Sequence, residues 1–80
     1  MLMKTDMYET SDIALASYLF CSGVSLSSIN RRNPQRCVFI FNKPRPDIIS
    51  KWQEGRANVN ALAFYNAYQT LKTRLFNHDY

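Results

Sequence analysis

The chain has 80 residues, 46% of them hydrophobic and 14% aromatic, and it carries a formal net charge of +4. A chain of this length forms one small domain, and its apolar content excludes a disordered protein. We expect a single domain over 1–80, with an ordered core at about 7–76 and a frayed tail at 77–80. The first residues lack the apolar core of a signal peptide, and no run approaches the roughly 18 apolar residues of a membrane span, so the sequence predicts a cytoplasmic protein.

The first half of the chain predicts a strand, a helix and a second strand. The alternation around Tyr8 is typical of a short edge strand, and Asp12 can cap a helix that begins at Ile13 and ends before Gly23. Apolar and serine residues then alternate over 24–30, as on a strand with one face in solvent. Four apolar residues share one face of the predicted helix: Ile13, Ala16, Leu19 and Phe20.

The second half predicts a central strand followed by two helices. Residues 36–42 are apolar on both faces, which is typical of a central strand, and this strand pairs with the preceding one as an antiparallel hairpin. A short helix begins at Pro46 and ends at Gly55, and Asn58 or Asn60 caps the last and longest helix. The apolar seam of that helix is Phe64, Tyr68, Leu71 and Leu75. The predicted fold class is α+β: a short N-terminal strand, a helix, an antiparallel β-hairpin, and two helices packed on the small sheet.

The basic residues form the strongest functional pattern in the chain. No carboxylate occurs between Ile13 and Pro46, yet this stretch contains half of the ten basic residues. Because arginine binds phosphates in bidentate fashion, we predict an anion or nucleic-acid site at the hairpin turn and at the loop after the central strand. Its residues are Arg31, Arg32, Asn33 and Arg36 in the turn, and Lys43 and Arg45 in the loop. The alternative is a solvated turn whose charges keep the hairpin soluble.

Aromatic residues are numerous for so small a domain, and we expect some of them in an oligomer interface or a ligand wall. Trp52, Tyr65 and Tyr68 are the candidates, whereas Phe39 and Phe41 are more typical of core packing than of a base-stacking platform. An antiparallel hairpin separates its turn from the loop after its second strand. We therefore expect a homo-oligomer, since only a neighbouring subunit could bring the two basic groups together.

Patterns for catalysis and metal binding do not occur in the sequence. Cys21 and Cys37 fall in apolar stretches, where a free thiol acts as a small core residue, and His78 has no fixed neighbour in its tail. We find no phosphate-cradling glycine loop and no metal-ligand spacing. We therefore expect no cofactor, no metal and no enzymatic activity.

Several short runs occur in the order and spacing of a known family. They are Tyr8-Glu9-Thr10-Ser11-Asp12, Arg31-Arg32-Asn33-Pro34 with Arg36, Val38-Phe39-Ile40-Phe41, Trp52 with Gly55, and Phe64 with Leu71-Lys72. Through them the chain, from Tyr8 to Phe76, resembles a family of small proteins of unknown function from bacterial genomes, mobile elements and phages. The resemblance implies a compact domain in a bacterial host cell and supplies no catalytic residue.

Three functional hypotheses follow. The leading one is a non-enzymatic, oligomeric protein of phage or mobile-element type that binds nucleic acid through its basic hairpin turn. An alternative is an anti-defence inhibitor that sequesters an anionic nucleotide signal or docks on an acidic surface of a host defence protein. A further alternative is a structural accessory subunit, in which the arginines serve solubility alone.

Overall fold

The fold is described from a computed structural model that defines residues 7–33 and 35–76. The predicted frayed tail at 77–80, which contains His78, and the turn residue Pro34 lie outside the described residues. Within the described residues the chain forms three strands and three helices: β1 (Met7–Thr10), α1 (Ile13–Cys21), β2 (Leu26–Asn30), β3 (Val38–Asn42), α2 (Pro46–Gln53) and α3 (Ala61–Phe76).

The strands form an antiparallel sheet with β3 in the centre, in the order β1-β3-β2. Because β1 and β2 both run antiparallel to β3, they are parallel to each other, and α1 is the crossover between them. The arrangement is a split β-α-β unit, with β3 inserted between the two parallel strands. The predicted α+β class, the edge strand at Tyr8 and the central position of β3 are confirmed.

The core lies on one face of the sheet, beneath the helices. Phe39 and Phe41 are 1% and 0% exposed, and they belong to the same buried cluster as Leu19 of α1 and Leu71 of α3. Both phenylalanines are therefore core residues, as predicted. Ile40 alternates with them along β3, so its side chain is on the opposite face, where it is only half-buried.

A β-bulge makes β2 differ from its prediction. Leu26 and Ser28 pair with two consecutive residues of β3, so Ser27 is an extra residue on β2. Ser27 and Ser28 are both exposed, and Ile29 returns to the core face of the sheet. Strict alternation would have put Ile29 on the solvent face, and the bulge corrects the register for the second half of the strand.

The residues between α1 and β2, 22–25, form the end of the helix and do not belong to the strand. The Val24 N–H donates to the Leu19 carbonyl at 3.1 Å, and Gly23 has a φ of +93°, in the left-handed region that favours glycine. The strand predicted over 24–30 therefore begins at Leu26. Gly55, with a φ of +73°, follows α2 in the same way, so both predicted helix ends are confirmed.

The buried part of α1 is a block of consecutive residues rather than one stripe: Ala16, Ser17, Tyr18 and Leu19. Ile13 and Phe20, predicted on the buried face, are half-buried. Periodicity failed here because α1 is short and has neighbours on more than one side, with Tyr18 contacting α2. The Ser17 hydroxyl is compatible with burial because it donates to the Ile13 carbonyl at 2.7 Å.

α3 begins after Asn60, whose Oδ1 accepts the Ala63 N–H at 2.9 Å. Of the two predicted caps, Asn60 is therefore the correct one. The buried face of α3 passes through Ala67 and Leu71, and Tyr68, predicted in the apolar seam, is half-buried. α3 ends near the hairpin turn, which determines the surroundings of the predicted site.

Candidate anion-binding surfaces

Basic side chains form two groups at opposite ends of β3. This strand runs from the hairpin turn to the loop before α2, and its five residues span about 17 Å. We call the first group the hairpin surface, which comprises Arg31, Arg32, Arg36, Arg74 and Phe76. We call the second group the basic groove, whose cations are Lys43, Arg45, Lys51 and Arg56.

Asparagine side chains shape the hairpin turn. Asn30 Oδ1 accepts the Arg32 N–H at 2.9 Å, and Asn33 Oδ1 accepts the Gln35 N–H at 3.0 Å. The Arg36 N–H donates to the Asn33 carbonyl at 3.0 Å, so residue 36 belongs to the turn and β3 begins later than predicted. Asn33, which the sequence placed in the anion site, therefore has its side-chain oxygen engaged in the turn.

Arg31 connects the hairpin turn to the end of α3. Its Nη2 donates to the Arg74 carbonyl at 2.8 Å, and its Nε is buried with no hydrogen-bond partner among the described residues. A cation at this position satisfies a carbonyl that has no partner within the helix. The contact brings the backbone of Arg74, which was not predicted as a site residue, to the hairpin surface. The Arg74 guanidinium lies 5.7 Å from the centroid of the Phe20 ring.

Arg32 and Arg36 are the exposed cations of the hairpin turn. Both are exposed, and neither forms an ion pair with a carboxylate of 7–33 or 35–76. Phe76, the last residue of α3, is 71% exposed at the same end of the molecule. Asp12, at the start of α1, accepts the Ala14 N–H as a helix cap. Exposed arginine and an exposed aromatic ring are groups suited to contact phosphates and bases.

The basic groove is an open cavity of about 420 Å³ between the end of α1, the helix α2 and the start of α3. A second cavity of about 360 Å³ adjoins it and shares Ser22, Arg45 and Ile48 with it. Lys43 lines the second cavity. Lys51 and Arg56 were not predicted as site residues, because they meet Arg45 only when α2 folds against α1.

Carboxylates orient the two arginines of the basic groove. Arg45 Nε lies 3.5 Å from Asp47 Oδ1, and Arg56 donates to Glu54 through both Nε and Nη2. These four side chains are largely exposed, so each pair contributes at most about 1 kcal/mol to stability. Lys51 forms no ion pair with a described carboxylate, and neither does the Lys43 of the adjoining cavity. The groove therefore keeps a net positive charge.

Tyr18 forms part of the wall of the basic groove. It is 4% exposed, and its hydroxyl donates to the Ile48 carbonyl at 2.8 Å. Its ring stacks on Trp52, with ring centroids 5.2 Å apart and planes inclined by 28°. Burial, and secondarily the Asp47 carboxylate, raises the pKa of Tyr18 above its ordinary value of 10.0. Trp52, predicted as an interface or ligand-wall residue, lies behind Tyr18 and packs against the core.

The two tyrosines predicted as interface or ligand-wall residues lie on α3, away from the basic groove. Tyr65 is 57% exposed, and Leu62, one turn earlier, is exposed as well. Tyr68 is half-buried, with the Lys72 ammonium 5.7 Å from its ring centroid. Neither tyrosine lines the basic groove, whereas Trp52 stacks on Tyr18 in its wall.

No group of three or more His, Cys, Asp or Glu is placed to hold a metal ion within 7–33 and 35–76. Cys21 and Cys37 are free thiols, and burial raises the pKa of Cys21 above its ordinary value of 9.0. A raised pKa keeps the Cys21 thiol protonated at neutral pH, which is unlike a reactive cysteine. Of the described helices, none is both long and apolar enough to cross a membrane.

Comparison with known proteins identifies a family and no function. The family model of a domain of unknown function, DUF5659, matches residues 5–77. No curated protein and no solved structure matches the chain. A functional proposal must therefore rest on the chemistry of the two basic surfaces.

Proposed function

The chain belongs to the DUF5659 family, whose function is unknown, and we propose that this member is a non-enzymatic protein that binds nucleic acid at its hairpin surface. The observation that carries the proposal is that, within 7–33 and 35–76, neither Arg32 nor Arg36 pairs with a carboxylate. Phosphate contacts supply most of the affinity of nucleic-acid binding, and they are strongest with cations that carboxylates do not already neutralise. The groove arginines Arg45 and Arg56 are both paired, so the hairpin surface suits a polyanion better.

Two residues of α3 extend the hairpin surface beyond the turn. Arg74 contacts the turn through its backbone carbonyl, which accepts from Arg31, and Phe76 adds an exposed aromatic ring that can stack on an unpaired base. A combination of cations and one exposed ring is typical of binding to single strands, where bases are accessible. Single-stranded nucleic acid is therefore the form that we propose.

We also propose that the protein is of phage or mobile-element type and that it assembles into a homo-oligomer. Leu62 and Tyr65 support assembly, because they expose apolar surface on one face of α3. The positions of the basic groups are consistent with assembly as well. They lie at opposite ends of β3 within one chain, and a second copy could add its own hairpin surface to the same strand of nucleic acid. The mass of the protein in solution tests this part of the proposal.

The test is the salt dependence of binding to single-stranded DNA and RNA oligonucleotides. We expect the logarithm of the association constant to fall linearly with the logarithm of salt concentration. Arg32→Ala with Arg36→Ala removes two phosphate contacts, so the slope should decrease by about 1.4, at about 0.7 for each contact on a single strand. Lys51→Ala with Arg56→Ala is the matched control, because it removes the same net charge at the other end of β3.

Two results would contradict the proposal. One is binding that does not change between low and moderate salt. The other is an equal loss of affinity in the hairpin and groove double variants, which would indicate a response to net charge alone. If no oligonucleotide binds, the arginines of the turn serve solubility, and the accessory-subunit hypothesis gains support.

A further inference from the structure

We infer that the basic groove is a second binding site, separate from the hairpin surface, for a small ligand of the nucleotide class that carries a phosphate group. The cavity of about 420 Å³ lies in the size range of small-molecule sites, about 300–1,000 Å³. It is concave, whereas the hairpin surface is a protruding turn. The two surfaces lie at opposite ends of β3, so this site does not depend on nucleic-acid binding.

The charges of the groove favour a phosphate. Lys51, on the wall of the groove, pairs with no carboxylate of the described residues, and its ammonium has three donors and no acceptor. Arg45 and Arg56 each have a carboxylate partner, but a guanidinium carries five N–H donors and one carboxylate does not occupy them all. Each pair also restricts its arginine, so less side-chain entropy is lost when a ligand binds.

The remaining lining of the groove favours a ligand that is more than a phosphate ion. Ile48, Val59 and Ala63 give the cavity an apolar side. Asn58 adds a side-chain amide that can donate to and accept from the edge of a heterocycle, and Asn60, whose Oδ1 caps α3, keeps its NH₂ group as a donor. A few polar groups in a partly apolar cavity are typical of sites that hold one defined small molecule. A nucleoside phosphate has both of the parts that this lining would recognise.

The structure supplies an internal reporter for this site. Trp52 is the single tryptophan of the chain, and it stacks on Tyr18, which lines the groove. A ligand against Tyr18 and Ile48 would change the surroundings of that stack. Trp52 fluorescence therefore reports occupation of the groove, while the hairpin surface lies at the other end of the sheet.

The experiment is equilibrium dialysis of the whole chain against AMP, with adenosine and inorganic phosphate as separate arms. We expect one AMP to bind per chain, with a saturable change in Trp52 fluorescence, and adenosine and phosphate to bind about tenfold or more weakly. Lys51→Ala should weaken AMP binding about tenfold, the effect of losing one charge-assisted contact. Lys72→Ala is the matched control, since Lys72 is exposed on α3 and lines neither cavity, and it should leave AMP binding unchanged.

Several results would overturn the inference. AMP that does not bind at millimolar concentration removes the site, and adenosine that binds as well as AMP removes the role of the phosphate. Inorganic phosphate that equals AMP would mean that the groove takes only an ion. An equal effect of Lys51→Ala and Lys72→Ala would mean that AMP binding follows net charge. If the protein binds AMP but no oligonucleotide, the proposed function is refuted and this inference stands.

Discussion

Replacing Tyr18 with phenylalanine tests how α2 is held against the rest of the domain. The Tyr18 hydroxyl donates to the Ile48 carbonyl at 2.8 Å, and the two residues are 30 positions apart in the sequence. Tyr18→Phe removes this hydrogen bond and keeps the ring that stacks on Trp52. An intramolecular hydrogen bond contributes about 0.5–1.5 kcal/mol to stability, so we expect a loss of about 1 kcal/mol. In a domain of this size that loss lowers the melting temperature by about 4–8 °C.

Urea denaturation followed by Trp52 fluorescence measures this loss directly, because the ring of Trp52 lies against Tyr18. Tyr18→Leu removes the aromatic stack as well, which adds about 0.5–1.5 kcal/mol to the loss. Tyr65→Phe is the matched control, since Tyr65 is 57% exposed and should lose no stability. If Tyr18→Phe is as stable as the parent protein, the Ile48 carbonyl finds water instead, and the hydrogen bond does not hold α2.

Two further predictions concern Arg31 and alkaline pH. Arg31→Ala should lower the free energy of unfolding by about 1 kcal/mol, because it removes the contact with the end of α3, whereas Arg32→Ala should leave it unchanged in the same urea titration. Burial raises the pKa values of Cys21 and Tyr18, so the stability they contribute is present below their ordinary values of 9.0 and 10.0 and is lost as the pH rises above them. The urea midpoint should therefore fall between pH 9 and pH 11, and it should fall less in Tyr18→Phe; an equal fall in both proteins would contradict this cause.

The local parts of the fold could be predicted from the sequence. Both glycines lie at helix ends, where a positive φ is required, and both positions were predicted. The central position of β3 was predicted from a run that is apolar on both faces, and β3 lies between β1 and β2, although only the face with Phe39 and Phe41 is fully buried. The β-bulge at Ser27 could not be predicted, because an extra residue that restores the register has no fixed sequence pattern.

The candidate sites depend on contacts between distant residues, and only part of them could be predicted. Arg32 and Arg36 lie in one short turn of the sequence, so they could be assigned to the same site without knowledge of the fold. Arg74 reaches the hairpin surface because of where α3 ends, and Lys51 and Arg56 reach Arg45 because α2 folds against α1. Contacts of this kind depend on tertiary packing. The spacing of residues along a single sequence does not show which distant residues will meet.

The carboxylates of the chain distinguish the two basic surfaces. Asp47 and Glu54 lie beside groove arginines, whereas the hairpin arginines have no carboxylate in the turn. A paired arginine keeps one geometry and suits a ligand of fixed shape, and an unpaired arginine can follow a flexible phosphate backbone. A flexible polyanion releases many counterions on binding and a mononucleotide releases few. Affinity at the hairpin surface should therefore fall steeply with salt, while affinity in the groove should fall only slightly.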